Sequence, residues 1–228
     1  MAPIVLGYWD IRGLATPIRL LLEHVGAEYE EKLYKCGPPP NFDRQEWLNE
    51  KFNLGMPFPN LPYLIDGDMK MSQSSVILRY LARKFGLMGK NEADQVTLEL
   101  IAAQVTDYHM DFVRIVYNPD FLKLKDNYVS GLPDKMKALT NFMGDKKFVV
   151  GDYVTYADFM LFEYLEGQSY LVKDLLKDYP VLDQYHKRIL ALEGVDKYWK
   201  SPKAIKYPFN GAPAYFGGAF SDQLMAKQ

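Results

Sequence analysis

Several residue types and motifs are rare or missing in this 228-residue chain, and each absence excludes a class of protein. Cys36 is the only cysteine, so an internal disulfide framework and a Cys-x-x-Cys dithiol site are both excluded. The three histidines (His24, His109 and His186) lie far apart without a metal-ligand spacing, and we expect no metal site. P-loop, His-Glu-x-x-His and Gly-x-Ser-x-Gly motifs are missing as well. We infer that the protein takes its reactive atom from a bound molecule.

A surplus of basic charge and a long apolar segment are also missing. The formal net charge is -2 and the sequence pI is about 6.0, so the composition does not indicate a nucleic-acid or membrane partner. The longest uncharged stretches, 52–65 and 207–221, contain Pro and Gly and are too short to cross a bilayer as helices. Asp10, Arg12 and Arg19 interrupt the first apolar residues, so we predict no secretory signal and a cytoplasmic location.

The first part of the chain alternates between strand and helix patterns. An apolar strand is predicted at 4–8 and a strand of alternating pattern at 29–34. Two more strands, at 63–65 and 69–71, flank an Asp-Gly-Asp turn. Helical spacing follows the first strand, and Ser72 is predicted to cap a further helix. The resulting order β-α-β-α-β-β-α predicts a small mixed sheet with helices packed on it.

Strand patterns end after residue 91. Apolar residues from Leu98 to Ile115 recur at spacings of three and four, which predicts one long helix. Thr155 with Asp158 three residues later is a candidate capping box for another helix. The fold class is therefore an α/β domain, over 1–86, joined to an all-α domain, over 92–228. Its further helices are predicted at 120–143, 156–171, 180–192 and 195–200.

The most informative segment for function is the turn after the first strand. Tyr8 and Trp9 end that strand, and Asp10-Ile11-Arg12-Gly13-Leu14 follow. In a β-α-β unit the carboxyl ends of strands and the N-termini of helices form the ligand crevice, so Tyr8 is placed to aim its hydroxyl into that crevice. Taken alone, an aromatic pair at a strand end more often packs in the core.

Six stretches, in the right order, resemble a mu-class glutathione transferase. The resemblance implies a thioredoxin-like, glutathione-binding first domain and a helical second domain that contributes the electrophile site and dimer contacts. It weakens only over the last two dozen residues. The stretches are 6–15 (LGYWDIRGLA), 46–52 (EWLNEKF), 58–66 (FPNLPYLID), 73–74 (QS), 116–119 (VYNP) and 155–159 (TYADF).

The resemblance implies that Tyr8 is the catalytic residue and donates a hydrogen bond to the glutathione sulfur. A thiol with a pKa of ~8.5 must fall by ~2 units to be mostly ionised at neutral pH, which requires ~2.7 kcal/mol. One hydrogen bond to a charged group contributes ~1.5–3 kcal/mol, so one well-placed hydroxyl nearly suffices. A tyrosine with a pKa of ~10 stays protonated as the donor, and the thiolate then attacks the electrophile.

The same resemblance implies the set of glutathione contacts. Asp107 is expected to reach the γ-glutamyl amine in the site of the partner subunit, so each site requires a homodimer. A cis Leu61–Pro62 bond is also implied. Without the resemblance, a solvated Lys51 and a packed Trp47 would be the simpler interpretation. The implied glutathione-binding residues are Tyr8, Trp9, Arg44, Trp47, Lys51, Asn60, Leu61, Gln73, Ser74 and Asp107.

The electrophile site and the dimer contact are implied in the same way. Phe58, in an apolar loop, is expected to anchor the dimer by inserting into the partner subunit, although a folded-back core contact is an alternative. A stripe of apolar residues at helical spacing is more often core than pocket. The residues implied for the electrophile site are Leu14, Met110, Val113, Tyr117 and Asn210.

The predicted function is a glutathione transferase that detoxifies hydrophobic electrophiles, with glutathione as co-substrate and no permanently bound cofactor. Two alternatives stay open: a non-catalytic carrier of hydrophobic ligands, and a glutathione-dependent isomerase that returns the thiol unchanged. The hydroxyl of Tyr8 argues against the carrier, because binding alone does not require it.

Overall fold

A computed structural model describes residues 3–226 of the chain. The first part is a four-stranded sheet of order β2-β1-β3-β4, in which β1 runs parallel to β2 and antiparallel to β3. Its element order confirms the predicted β-α-β-α-β-β-α pattern. The elements are β1 (Ile4–Trp9), α1 (Thr16–His24), β2 (Tyr29–Tyr34), α2 (Gln45–Lys51), β3 (Tyr63–Asp66), β4 (Met69–Ser72) and α3 (Ser74–Phe85).

The sheet is closely packed where β1 and β3 pair. Gly7 lies opposite Tyr63, and a Cβ atom on Gly7 would stand 2.1 Å from Cε1 of that ring. Only glycine therefore lets the aromatic ring lie across the strand. The turn between β3 and β4 is the tight hairpin that the Asp-Gly-Asp sequence predicts, with Asp66 opposite Met69.

The second part is helical, apart from an isolated β-bridge between Phe148 and Gly151. The predicted capping box of α7 is confirmed, because Thr155 and Asp158 bond reciprocally at its start. The helix buries most of its residues, which makes it the centre of the helical part. The helices are α4 (Glu92–Val116), α5 (Phe121–Ser130), α6 (Leu132–Met143), α7 (Tyr156–Leu171), α8 (Pro180–Leu190), α9 (Glu193–Lys200) and α10 (Ser221–Met225).

Two local predictions are wrong. The single helix expected over 120–143 is divided into α5 and α6 at Gly131, because Pro133 has no N–H with which to continue the hydrogen-bond ladder. Ser72 does not cap α3: its Oγ donates to the Phe58 carbonyl oxygen at 2.7 Å, and Gln73 occupies the cap position without a side-chain bond.

The two parts meet along α1, which packs against α7 and α9 of the helical part. This contact places the turn between β1 and α1 at the boundary between them. No helix within residues 3–226 has the length and apolar character needed to cross a membrane.

Candidate active site

Tyr8 lies at the carboxyl end of β1, beside a cavity of about 400 Å³. Its ring is buried, and its Oη accepts a hydrogen bond from the backbone N–H of Leu14 at 3.1 Å. Gly13 has a φ of +44°, and a Cβ there would stand 2.6 Å from the same Oη. The glycine is therefore required for the turn to fold back onto the phenol.

The environment of Tyr8 keeps its hydroxyl protonated. Burial raises the pKa of Tyr8 to about 12, against the opposing effect of the Leu14 hydrogen bond. Because Leu14 uses a lone pair of the oxygen, the hydroxyl proton is free to point elsewhere. At neutral pH the Tyr8 hydroxyl is thus an uncharged hydrogen-bond donor whose oxygen already accepts from Leu14. Such a donor is suited to stabilising an anion in the cavity.

The cavity beside Tyr8 combines residues from distant parts of the chain. Trp9 and Arg44 line it from the sheet part, and Tyr117 lines it from the end of α4. The structure therefore brings together four of the predicted site residues. The rest of the lining is Asp10, Ile11, Tyr34, Lys35, Cys36, Gly211, Ala212 and Pro213.

Cys36 lines this cavity but is not an activated thiol. Its Sγ lies 3.5 Å from the Phe42 carbonyl oxygen, and burial raises the pKa of the thiol. A raised pKa lowers the thiolate fraction at neutral pH, so Cys36 is a poor nucleophile.

A second cavity, of about 260 Å³, lies on the other side of the turn. Leu14 and Met110, predicted for the electrophile site, line it together with Gln73 and Ser74, predicted for glutathione. His109 also lines it, and burial lowers the pKa of this imidazole. Four predicted residues thus line the first cavity and four line the second, on the two sides of the turn after β1.

Trp47 and Lys51 lie on α2, which an aromatic cluster holds against the sheet. The Trp47 ring is buried and stacks on Tyr63 with their centroids 6.0 Å apart. Tyr34 donates to Glu50 Oε2 at 2.8 Å and fixes the helix from the other side. The Lys51 Nζ lies 5.3 Å from the centroid of the neighbouring Phe52 ring.

The loop before β3 contains the one backbone feature that the family resemblance implies. The Leu61–Pro62 bond is cis, which confirms that prediction. Asn60 Oδ1 accepts from the Leu61 N–H at 3.0 Å, so this side chain shapes the loop. Gln73, which precedes α3, has a φ of +74° that turns the chain sharply into the helix.

Phe58 and Asp107 lie away from Tyr8. The Phe58 side chain is 85% exposed, on a backbone with a φ of +51°, so the folded-back core contact does not occur. Asp107 is exposed on α4 and lines neither of these two cavities.

The segment 207–220, called the closing segment below, lines the Tyr8 cavity with its residues 211–213. Its Gly211 N–H donates to Tyr117 Oη at 2.6 Å, so this phenol already has a partner. Asn210 is buried, and its Nδ2 donates to the Phe216 carbonyl oxygen at 2.9 Å. The Asn210 amide thus shapes the segment, while Val113 is half-buried and lines neither cavity.

Two buried arginines, Arg12 and Arg19, hold the turn and were not predicted as site residues. Arg19 is fully buried, and its Nη1 donates to the Ile11 carbonyl oxygen at 2.8 Å and to that of Arg12 at 3.2 Å. Its Nε also donates to Glu31 Oε1 at 2.6 Å. The signal in the sequence is a charged residue inside the apolar run Ile-Arg-Leu-Leu-Leu of α1, where a cation requires internal partners.

Comparison with known proteins agrees with this architecture. The model of the glutathione S-transferase N-terminal domain matches residues 4–83, and that of the C-terminal domain matches residues 106–202. Glutathione S-transferase Mu 1 of Oryctolagus cuniculus is 45% identical, over 90% of this chain and 94% of the relative. Glutathione S-transferase Mu 2 of Pongo abelii is 44% identical, over 94% and 99%. The crystal structure of the glutathione S-transferase Blo t 8 superimposes with a TM-score of 0.82 at 33% identity, covering 93% of this chain and 99% of that one.

A four-stranded mixed sheet joined to a helical domain, with a tyrosine at the end of the first strand, defines a thioredoxin-like, glutathione-dependent class of enzyme. The chain belongs to the glutathione S-transferase family. The names of its relatives at 44–45% identity place it with the mu class.

Proposed function

We propose that the chain joins glutathione to small hydrophobic electrophiles and that Tyr8 stabilises the attacking thiolate. The observation that supports this most strongly is the state of the Tyr8 hydroxyl. It stands at a cavity, its oxygen accepts from the Leu14 N–H, and burial keeps it protonated. The arrangement supplies one hydrogen-bond donor to a sulfur anion without itself becoming charged.

The chemistry is a nucleophilic displacement or addition by sulfur. The thiol loses its proton to solvent, and the sulfur then forms the new C–S bond. In a displacement the leaving group departs with the electron pair of the broken bond; in an addition the electron pair of the opened π or C–O bond takes up a proton from solvent. Because one hydrogen bond to a charged group contributes ~1.5–3 kcal/mol, Tyr8 lowers the thiol pKa by ~1–2 units.

We propose that the remaining contacts of glutathione are those that the family resemblance implies. Arg44, Trp47 and Lys51 provide cationic and N–H donors for the glycine carboxylate. The Leu61 backbone pairs with the cysteinyl unit, and the first turn of the twelve-residue α3, with Ser74, receives the γ-glutamyl carboxylate. The remaining contacts with glutathione within one chain come from Trp9, Asn60 and Gln73.

A second copy of the chain completes the site in this proposal. Asp107 is exposed on α4, where it is free to bind the γ-glutamyl amine in the partner subunit's site. Phe58 is an exposed aromatic anchor for the same homodimer. We propose a cytoplasmic homodimer without a permanently bound cofactor, with 1–86 and 92–228 as its functional domains.

The electrophile is proposed to bind between the turn and the closing segment. Tyr117 and the small residues 211–213 line the cavity beside Tyr8, and Leu14 and Met110 extend the apolar surface on the other side of the turn. Val113 and Asn210 contribute indirectly in this proposal. They support the residues that line the cavities, through packing and through contacts with the backbone.

The test is Tyr8→Phe, assayed by the ultraviolet absorbance of the thiolate of bound glutathione as a function of pH. We expect the pKa of the bound thiol to rise by ~1–2 units while glutathione binding is retained. Tyr153→Phe, which removes a hydroxyl bonded to Asp94 far from the turn, is the matched control. A Tyr8→Phe enzyme with the wild-type pKa would contradict the mechanism.

Product formation separates the proposed activity from the carrier and the isomerase. A chlorinated nitroaromatic incubated with glutathione should give a conjugate and release chloride. Binding of both compounds without a conjugate would favour the carrier. Conversion of an isomerisable substrate with full recovery of glutathione would favour the isomerase.

A further inference from the structure

We propose that Arg12 is a positioning residue for Tyr8 and that Glu163 and Glu166, on α7 of the helical domain, hold it in place. The helical domain would thereby set the geometry of the hydrogen-bond donor that stabilises the thiolate. This inference rests on the role proposed for Tyr8 and extends it to residues that do not line the cavity beside Tyr8, of which Glu163 lines the second cavity.

The guanidinium of Arg12 makes three hydrogen bonds to two carboxylates. Nε and Nη2 donate to Glu163 Oε1 and Oε2 at 3.0 and 2.5 Å, and Nη1 donates to Glu166 Oε2 at 3.0 Å. The Arg12 side chain is 4% exposed. A bidentate Arg–carboxylate pair fixes both the position and the plane of the guanidinium, so the turn cannot rotate about it.

Two aromatic rings and the closing segment complete the environment of Arg12. Its Cζ lies 4.2 Å from the centroid of the Phe209 ring and 4.8 Å from that of Trp199. Its backbone N–H donates to the Pro208 carbonyl oxygen at 2.8 Å, and the Gly13 N–H donates to that of Phe209 at 3.0 Å. Side chain and backbone of this turn are thus fixed by the helical domain and by the closing segment.

The charges around Arg12 favour a geometric role over a purely stabilising one. Burial opposes the charged guanidinium, but Glu163 and then Glu166 raise the pKa of Arg12 above its ordinary value, so it stays cationic. Glu166 is shared with His186, whose Nε2 lies 2.6 Å from Oε1. Buried ion pairs of this kind seldom stabilise a fold more than apolar packing would, because desolvation opposes them. The ion-pair cluster of Arg12, Glu163 and Glu166 instead gives the turn a defined position.

The position of the turn determines the state of the Tyr8 hydroxyl. Leu14 follows Arg12 by two residues, and its N–H is the group that donates to Tyr8 Oη at 3.1 Å. If the turn moves away, Oη no longer accepts the hydrogen bond from Leu14. The hydroxyl is then free to rotate, so its proton no longer has a defined direction. A Tyr8 with a displaced hydroxyl is a weaker donor to sulfur.

The decisive experiment measures the pKa of bound glutathione in Glu163→Gln and Arg12→Lys. Glutamine keeps the shape of Glu163 but loses its charge, and lysine keeps the charge of Arg12 but loses the planar fork. We expect each variant to raise the thiol pKa by about half a unit to one unit, less than Tyr8→Phe does. Tyr185→Phe, which removes a buried bond to Asp158 in the same domain, is the matched control: it should lower the unfolding midpoint and leave the thiol pKa unchanged.

The sign of the shift in Glu163→Gln separates positioning from simple electrostatics. Removing a negative charge would by itself stabilise a thiolate and lower its pKa, whereas a displaced turn raises it. Adding Glu163→Gln to Tyr8→Phe should cause no further rise if Glu163 acts through Tyr8. A lowered pKa in the single variant, or a fully additive rise in the double variant, would overturn the inference.

The outcome for Tyr8→Phe distinguishes this inference from the proposed function. If Tyr8→Phe raises the thiol pKa and both Glu163→Gln and Arg12→Lys leave it at the wild-type value, only the positioning role fails. If Tyr8→Phe also leaves it unchanged, the proposed mechanism itself fails. Should Arg12→Lys not fold, the shape-conserving Glu163→Gln decides alone.

Discussion

The two ends of the proposed glutathione site are built in different ways. At the sulfur end, Tyr8 is buried and Leu14 and Gly13 fold back onto it, so one chain supplies the whole arrangement. At the amine end, Gln73 and Asp107 are both exposed. The contrast is consistent with our proposal that the fold of one chain sets the reactivity of the sulfur, whereas capture of the γ-glutamyl amine requires a second copy.

The physical reason is the different precision that the two tasks require. Stabilising a thiolate by one hydrogen bond requires a donor placed within a few tenths of an ångström, which a packed interior provides. A charge interaction with an ammonium group tolerates more displacement, so it is compatible with a residue on an exposed helix. Four predictions test this difference between the two ends.

The largest effect is expected for Gly13→Ala at the sulfur end. The new Cβ would stand 2.6 Å from Tyr8 Oη on a backbone with a φ of +44°, so the phenol must move. We expect kcat/KM for conjugation to fall by about 100-fold, with the thiol pKa raised. Gly67→Ala has a similar φ of +59° but no atom within 4 Å, so it should cause strain without loss of activity. Equal activities of the two variants would refute the close fit.

At the amine end, Phe58→Asp tests the need for assembly. Because Phe58 is 85% exposed in a single chain, the substitution should leave the fold of the chain intact. Loss of an aromatic anchor costs about 2 kcal/mol, which raises the dimer dissociation constant by about 30-fold. Sedimentation over a range of concentrations measures this, with Leu122→Asp on α5 as the control. An unchanged mass at every concentration would contradict the anchor.

A smaller effect is expected for Asp107→Asn. Losing one charge-assisted hydrogen bond should raise the KM for glutathione by about tenfold and change kcat by less than about twofold. Steady-state kinetics at saturating electrophile provide the measurement, and Asp126→Asn, an exposed acid on α5, is the control. If kcat falls as much as KM rises, Asp107 acts on the chemistry and the separation of the two ends is wrong.

No effect is expected from ionisation of Tyr8 over the ordinary pH range. Its pKa is raised from 10.0 to about 12, so the folded protein holds this proton more tightly than the unfolded chain does. The contribution of this shift to stability is therefore complete below pH 10 and is lost as the pH approaches 12. The conjugation rate should rise with thiol ionisation and show no decline attributable to Tyr8 below about pH 10. A tyrosinate absorbance that appears near pH 8 and disappears in Tyr8→Phe would contradict this.

Periodic patterns predicted most of the fold, because burial has a period of two in strands and 3.6 in helices. The helix Tyr156–Leu171 was predicted with its capping box, since that cap is local in sequence. The break at Gly131 was mispredicted because the missing N–H of Pro133 was not taken to end a helix, and the use of Ser72 was mispredicted because its partner is distant in sequence. Ser72 bonds a carbonyl fourteen residues away, and no nearby pattern specifies that partner.

For the site, the sequence provided the residues but not their partners. The family resemblance implied Tyr8, Trp9, Arg44 and Tyr117 as site residues, and these four line one cavity. The role of Arg12 was missed because Glu163 lies 151 residues away, and pairing at that range follows only from the packing of α1 on α7. The tasks assigned to the individual site residues stay predictions until the variants above are measured.

The closing segment has a consequence for biosynthesis. Residues 208 and 209 accept hydrogen bonds from Arg12 and Gly13, and Tyr215 donates to the Val116 carbonyl oxygen at 2.7 Å. The ribosome therefore makes this segment after the four strands and after α1 to α9, whereas α10, which it contacts through Ser221, follows it. The sheet and the helices that precede the segment are thus available to pack before it docks. A nascent chain halted before residue 207 should therefore be compact but lack the part of the cavity lining that residues 211–213 supply.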